Sequence, residues 1–255
     1  MAGLSEVRVF AVFADAAELT SAAAEEVAQR AEEAVRERGL FAWALSGGST
    51  PRDLYRALAG PPYRDRLPWS AIHVFWGDER HVPPDHPDSN FRMAREAMLD
   101  AVPLPAENVH RIRAEEPDAA VAAAAYEAEL RAFFHLAPAD AGDQWPRFDL
   151  VLLGLGKDAH TASLFPGGEA VHESERLVVA PWVEAQHTFR ITLTPPVLNH
   201  ARLAAFLVSG EDKAEPLRAV LEGPRDPDRW PAQIVEGNRL WMVDRAAARL
   251  LATAA

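Results

Sequence analysis

Short apolar runs bounded by turn residues recur along this chain, and between them lie longer segments whose apolar positions repeat at helical spacing. Val7 to Phe13 reads as a first strand. From Ala16 to Arg38 the positions Ala24, Val27, Ala31, Ala34 and Val35 follow a helical period, and Gly39 supplies the stop. Leu40 to Leu45 and Leu150 to Leu153 are continuous apolar runs, the pattern of strands buried on both faces in a parallel sheet. Ala71 to Trp76, Val109 to Ile112, Arg176 to Val183, Thr188 to Leu193, Leu203 to Val208 and Leu240 to Val243 read as further strands. Helices are predicted after Thr50, from Asn90 to Leu99, from Pro117 to about Phe134, over Val197 to His200, from Lys213 to Leu221 and from Arg245 to the end. Ala137 to Pro146 reads as a loop. Strands alternating with helices predict an α/β fold with a mostly parallel sheet. No repeat or linker marks a boundary, so residues 1–255 read as one domain.

Composition narrows the function classes. A hydrophobic content of 49% supports a full core, and the absence of cysteine removes disulfides, thiolate nucleophiles and zinc–thiolate sites. No stretch approaches a membrane span, and Val7 to Phe13 is too short for a secretory segment, so a cytoplasmic protein is expected. A net charge of −12 argues against non-specific binding to nucleic acid or anionic membrane. It also repels anionic ligands at long range, so any phosphate site must be built locally from arginines, lysines and backbone amides. Only two lysines, Lys157 and Lys213, stand beside many arginines. With 20 prolines, that bias suits a heat-tolerant protein and a GC-rich genome equally. The oligomeric state stays open, a monomer being compatible with everything above.

Candidate chemistry collects where strands end. After Leu153 the chain breaks at Gly154 and Gly156 and presents Asp158, His160, Thr161 and Ser163. Ligands of open α/β sheets sit beyond the carboxyl ends of strands. Asp158 and His160 are therefore either a general-base pair or a structural turn with a satisfied histidine. Ser46-Gly47-Gly48-Ser49-Thr50-Pro51-Arg52-Asp53 leads from a strand into a helix, with Thr50 expected as N-cap, Pro51 at the first helical position and Asp53 completing a capping box. Its free amides suit an anion, and the alternative is an ordinary turn. It is not a P-loop, since no Gly-Lys-Ser/Thr follows.

Asp78, Glu79 and Arg80 end another strand and form either a solvated rim or a site. There Asp78 would accept a proton or a sugar hydroxyl, and Arg80 would hold an oxyanion or a carboxylate. Lys213 lies where a helix dipole disfavours a cation, a conflict that a bound anion, or Glu211 and Asp212, would resolve. Gly154 to Ala159 formally matches Gly-x-Gly-x-x-Ala, but Pro166-Gly167-Gly168 leaves no room for the helix that a dinucleotide site needs. His81, Asp85 and His86 match no metal-ligand spacing and read as surface residues.

Taken together, Leu45-Ser-Gly-Gly-Ser-Thr-Pro51, Trp76-Gly-Asp-Glu-Arg80 with Ser89-Asn90, Phe148-Asp-Leu-Val-Leu-Leu-Gly154, Asp158-x-His-Thr-Ala-Ser-Leu-Phe-Pro166, Arg190-Ile-Thr192 and Gly210-x-x-Lys-Ala214 resemble the 6-phosphogluconolactonase family in order and spacing. The resemblance spans residues 45–214. It implies a single-domain modified Rossmann-like fold, in the superfamily that also contains glucosamine-6-phosphate deaminase. It implies hydrolysis of a small-molecule sugar-phosphate lactone, 6-phosphoglucono-1,5-lactone, in the oxidative pentose phosphate pathway, with no metal and no cofactor.

Carried over by motif, Ser46, Gly47, Gly48, Ser49, Thr50, Arg190 and Lys213 would bind the phosphate. His160 would be the base, and Asp78, Arg80 and Asp158 would line the lactone end. The relatives usually carry glycine where this chain has Ala159; a positive φ there would cost alanine about 1–2 kcal/mol. Two other readings use the same phosphate loop. One is an amino-sugar phosphate isomerase or deaminase with Asp78 abstracting a C2 proton. The other is a non-catalytic sugar-phosphate sensor, which would have no use for the Asp158/His160 pair.

Overall fold

The computed structural model describes residues 8–136 and 144–252. Val7, most of the loop expected from Ala137, and the last three residues of the helix expected from Arg245 lie outside them. Among the described residues there are ten strands: β1 (Arg8–Phe13), β2 (Phe41–Leu45), β3 (Ile72–Trp76), β4 (Asp78–Arg80), β5 (Leu150–Leu153), β6 (Val178–Val179), β7 (Trp182–Val183), β8 (Thr188–Leu193), β9 (Ala204–Val208) and β10 (Arg239–Asp244). The helices are α1 (Ala16–Arg38), α2 (Ser49–Ala59), α3 (Tyr63–Arg66), α4 (Asn90–Ala97), α5 (Ala119–Phe133), α6 (Pro195–His200), α7 (Ala214–Glu222) and α8 (Arg245–Ala248).

Six strands form a parallel sheet in the order β1-β10-β9-β5-β2-β3. Every residue of β2, β5 and β9 is buried. Because neighbouring residues in a strand face opposite sides, both faces of the sheet are covered, as the continuous apolar runs predicted. The chain leaves β2 toward β3 on one side and leaves β5 toward β9 on the other. The strand order therefore reverses between β2 and β5, and that boundary is where open α/β sheets hold their ligands. A smaller antiparallel sheet, β4-β8-β6 with β7 on β8, leans on the large one through Gly77, whose N–H donates to Leu45 O and whose carbonyl accepts from Leu193 N.

Two buried tyrosines fix the ends of β2 and β3. The Tyr55 hydroxyl donates to Ser46 O (2.8 Å) and accepts from Ser46 N (2.9 Å). The Tyr126 hydroxyl does the same to Trp76 O (3.0 Å) and Trp76 N (2.9 Å). Burial pushes both phenols up, so they remain protonated and able to donate. Backbone groups at these strand ends have no ladder partner and would otherwise be buried unpaired. Among the described residues no helix is long and apolar enough to cross a membrane.

Several elements differ from the sequence expectation. Val109 makes one bridge to Val74, and Val109 to Ile112 is not a strand. Arg176 to Val183 splits into β6 and β7 because Pro181 has no N–H to give the ladder. The expected helix from Pro117 begins at Ala119, since Asp118 caps it through Ala120 N (2.8 Å). Thr50 is not the N-cap of α2: the helix starts at Ser49, and Gly48 holds the cap position at φ 106° with no side-chain cap bond. The Thr50–Asp53 capping box does not form. That φ is open to glycine and strained for other residues, so Gly48 sets the start of the helix two residues early and leaves its first amides without a capping side chain.

Candidate active site

The loops that follow β2 and β5 meet at the reversal point and form one wall of a cleft of about 500 Å³. Ser46, Gly47 and Gly48 come from the first loop; Gly154, Leu155, Gly156, Lys157, Asp158, His160 and Ala162 come from the second. Asp78 and Arg80 from β4, Asn90 from the start of α4 and Lys213 complete the lining. The volume falls in the usual range for small-molecule sites.

His160 and Asp158 are joined directly, Nδ1 to Oδ1 at 2.5 Å. The Phe165 ring packs against the imidazole at 4.4 Å between centroids. Burial pushes the Asp158 carboxyl up, but its hydrogen bond to His160 and the attraction to that ring outweigh this and hold it below the ordinary aspartate value. A lowered folded value means that this pairing supports the fold above the ordinary aspartate range, and its contribution is lost as pH falls through the lowered value. An ionised partner at Nδ1 selects the tautomer with the proton on that nitrogen and leaves Nε2 with a lone pair. The surrounding turn is tight: Gly156 N donates to His160 O (2.8 Å) and Ala159 N to Gly156 O (3.1 Å). A side chain at Gly156 would meet His160 Nδ1 at 2.1 Å, so only glycine lets the backbone pass beneath the ring.

Ala159 has φ 62° and Ala162 φ 46°. The strain expected at Ala159 is therefore present, yet its methyl is fully buried and the turn closes around it. Ala159→Gly should relieve about 1–2 kcal/mol of left-handed strain. It should lose about 0.4–1 kcal/mol through the more flexible unfolded chain, and about 0.8 kcal/mol of buried methyl. The expected net change is within about 1 kcal/mol of zero, readable by urea unfolding. A loss above about 2 kcal/mol would mean that the methyl, not the strain, governs this position.

Asp78 is held from two sides. Ser163 Oγ donates to its Oδ2 (2.7 Å), and Asn90 Nδ2 donates to its carbonyl oxygen (2.9 Å) and lies 3.4 Å from Oδ1. Asn90 in turn fills the space beside Gly47, where an added Cβ would fall 1.9 Å from Asn90 Oδ1. Glu79 points away from the cleft and caps α4. Its carboxylate accepts from Arg80 N, Ser89 Oγ, Asn90 N and Phe91 N at 2.7–3.1 Å. Burial pushes its carboxyl up despite those donors. Of the acidic pair that opens β4, one residue thus faces the site and the other positions Asn90. Arg80 and Arg190 are register partners on β4 and β8, with both Nε atoms buried and unpaired. Burial, then the charge of Arg80, lowers Arg190. Arg80 Nη1 donates to Asp88 O (2.6 Å), and Arg190 Nη2 donates to Gln186 Oε1.

Of the residues singled out from the sequence, Ser46, Gly47, Gly48, Asp78, Arg80, Asp158, His160 and Lys213 share the cleft, whereas Ser49, Thr50 and Arg190 are not in its lining. Lys213 closes a single 3₁₀ turn (Glu211–Lys213) immediately before α7. No helix opens between Gly154 and Gly168, so the dinucleotide fingerprint lacks its helix. The sequence reading left out Asn90, Gly156 and Lys157. The motif string contained Asn90, but its place as the first residue of a predicted helix suggested capping alone. Among the described residues no group of three or more His, Asp or Glu side chains is arranged to hold a metal ion.

The family described as glucosamine-6-phosphate isomerases/6-phosphogluconolactonase matches residues 14–243. The 6-phosphogluconolactonase of Nostoc sp. is 46% identical over 216 residues, covering 84% of this chain and 86% of that protein. That of Synechocystis sp. is 45% identical over 223 residues, covering 87% and 89%. Among solved structures, 6-phosphogluconolactonase from Trypanosoma brucei superposes with a TM-score of 0.85 at 30% identity, covering 97% of this chain and 100% of that one.

Proposed function

This chain belongs to the glucosamine-6-phosphate isomerase/6-phosphogluconolactonase family, and on that premise we infer that it hydrolyses 6-phosphoglucono-1,5-lactone to 6-phosphogluconate with His160 as general base. The substrate and reaction class rest on the relatives. The observation that carries the assignment of roles is the 2.5 Å Asp158–His160 pair set in the same cleft as the Ser46–Gly48 loop and Lys213.

A δ-lactone is an activated ester and its opening needs neither a metal nor a covalent nucleophile. His160 Nε2 takes a proton from a water as the water oxygen bonds to the lactone C1. Asp158 holds the ring through Nδ1 and stabilises the imidazolium that results. The C1 oxyanion is met by Arg80 or by backbone amides at the cleft wall. As the tetrahedral intermediate collapses, the bond from C1 to the ring oxygen breaks and His160 returns its proton to that oxygen. Asp78, held by Ser163 and Asn90, accepts a sugar hydroxyl. The phosphate lies toward Ser46–Gly48, the start of α2 and Lys213, where uncapped amides and an ammonium group compensate for the net charge of −12. Arg190, outside the lining, reaches the anion only by giving up Gln186, and the unpaired Nε atoms of Arg80 and Arg190 favour an anion near both. We assign the whole span of 1–255 to one catalytic domain.

The test is turnover of freshly generated 6-phosphogluconolactone, corrected for spontaneous opening, with unphosphorylated gluconolactone alongside. The expected result is fast opening of the phosphorylated lactone and a much lower kcat/KM for the other. Equal turnover of both would remove the phosphate role from Ser46–Gly48 and Lys213. No turnover above background would reject the lactonase reading.

A further inference from the structure

The chain has two lysines, and both line the one cleft. They come from opposite ends of the fold's second half, Lys157 from the loop after β5 and Lys213 from the turn before α7. They converge on a single carboxylate oxygen: Asp212 Oδ2 lies 3.5 Å from Lys157 Nζ and 3.8 Å from Lys213 Nζ. Both separations are longer than a hydrogen bond between charged groups, which runs about 2.7–2.9 Å. The carboxylate therefore sits between two ammonium groups without closing tightly on either. The Lys157 side chain is 76% exposed, so this pairing is cheap to break in solvent.

We propose that Lys157 is a second phosphate-binding cation, which forms a two-lysine clasp with Lys213, and that Asp212 occupies the anion position in the free protein and yields it to the substrate's phosphate. The proposal rests on the reading that the phosphate end of the substrate lies at Lys213, and it adds a residue and an exchange that this reading does not contain. A phosphate monoester carries about −1.5 to −2 charges and three acceptor oxygens at neutral pH. A carboxylate offers one charge and here presents one oxygen to both lysines. The dianion can bond each ammonium separately, so it outcompetes Asp212 when it arrives and leaves the lysines paired when it goes. Lysine suits this exchange better than arginine, because its ammonium is a point charge on a flexible stem that turns between partners, whereas a guanidinium fork fixes its geometry. In a protein of net charge −12, Asp212 also keeps the clasp from capturing weaker monoanions.

The experiment is calorimetric titration of the stable product 6-phosphogluconate, with gluconate as the unphosphorylated control, into the wild type and the variants Lys157→Gln, Lys213→Gln and Asp212→Asn. Lys157→Gln is expected to weaken 6-phosphogluconate by about threefold to tenfold without a matching loss for gluconate. Asp212→Asn is expected to tighten it by about twofold to fivefold, since the competing carboxylate is gone. A second readout is acylation of the two side-chain amines followed by mass spectrometry, in which 6-phosphogluconate should protect Lys157 and Lys213 together. Loss of affinity in Lys213→Gln with none in Lys157→Gln, and no protection of Lys157, would overturn the clasp while leaving the phosphate end at Lys213. Equal weakening of 6-phosphogluconate and gluconate by Lys157→Gln would also overturn it, by showing a loop effect on Asp158 and His160. Failure of both lysine variants to weaken binding would remove the underlying phosphate reading, and the clasp with it.

Discussion

Replacing His160 by alanine should lower kcat on 6-phosphogluconolactone by about 10²–10⁴-fold, the range supplied by a positioned general base. The imidazole is the one ring in the cleft lining, and its Nδ1 is committed to Asp158 at 2.5 Å. Nothing else there combines a free lone pair with a partner that stabilises the proton once taken. Asp78 is the nearest substitute by chemistry, but its Oδ2 already accepts from Ser163. The loss should appear in kcat rather than in KM, because the phosphate contacts are made by other loops. Affinity for 6-phosphogluconate should survive, which separates a lost base from a lost site. Stability should change little, since the His160 side chain is 31% exposed and its packing is mainly the Phe165 face. Steady-state kinetics corrected for spontaneous opening provide the measurement. A variant that keeps kcat within a few-fold of wild type would show that water is activated by another group, and the role given to Asp158 would fall with it.

Gly156→Ala should remove catalysis nearly as effectively while leaving the fold standing. The added Cβ lands 2.1 Å from His160 Nδ1, 2.4 Å from Cε1 and 2.5 Å from Asp158 Oδ1. All three atoms belong to side chains that can turn toward solvent, so the conflict is relieved by displacing the pair, not by opening the sheet. Backbone strain plays no part, because the φ of Gly156 is not in the positive region. A displacement of about 1 Å at a reacting group is sufficient for roughly a 10²-fold loss. The expected result is therefore a kcat reduced by about two orders of magnitude with a melting temperature within a few degrees of wild type. Near-normal kcat would mean that the loop can shift beneath the ring without disturbing it. A large drop in melting temperature would mean that the tight turn from Gly156 to His160 is a folding element rather than a positioning one.

Much of this molecule was legible in its local patterns. The continuous apolar runs marked β2, β5 and β9 because burial on both faces leaves no polar position there, and shorter runs between turns marked the other three strands of the large sheet. The breaks at Gly154, Gly156 and Ser46–Gly48 marked loops at strand ends, where ligand sites of this fold class lie. The order and spacing of six short motifs carried the family, and φ 62° at Ala159 bears out the strain expected there. These are properties of neighbours in sequence, fixed by period, turn chemistry and composition.

Only the tertiary structure decided what meets what. Parallel pairing joins segments far apart in the chain, and no local signal states the strand order that sets the loop after β2 beside the loop after β5. Ser163 reaches Asp78 across 85 positions of sequence. Arg190 stands opposite Arg80 in register, so both side chains leave the same face of the small sheet, yet Arg190 donates to Gln186 and stays outside the cleft lining. Thr50 had the residue type of a cap, but Gly48 could take φ 106° and began the helix first. Asn90 looked like a helix start until the fold brought it against Gly47 and Asp78, and no local signal placed Lys157 beside Asp212. The sequence specifies which chemical groups are present and which strand ends carry them. The packing of the two sheets specifies which of those groups share a cleft, because that choice depends on contacts whose partners lie a hundred residues away.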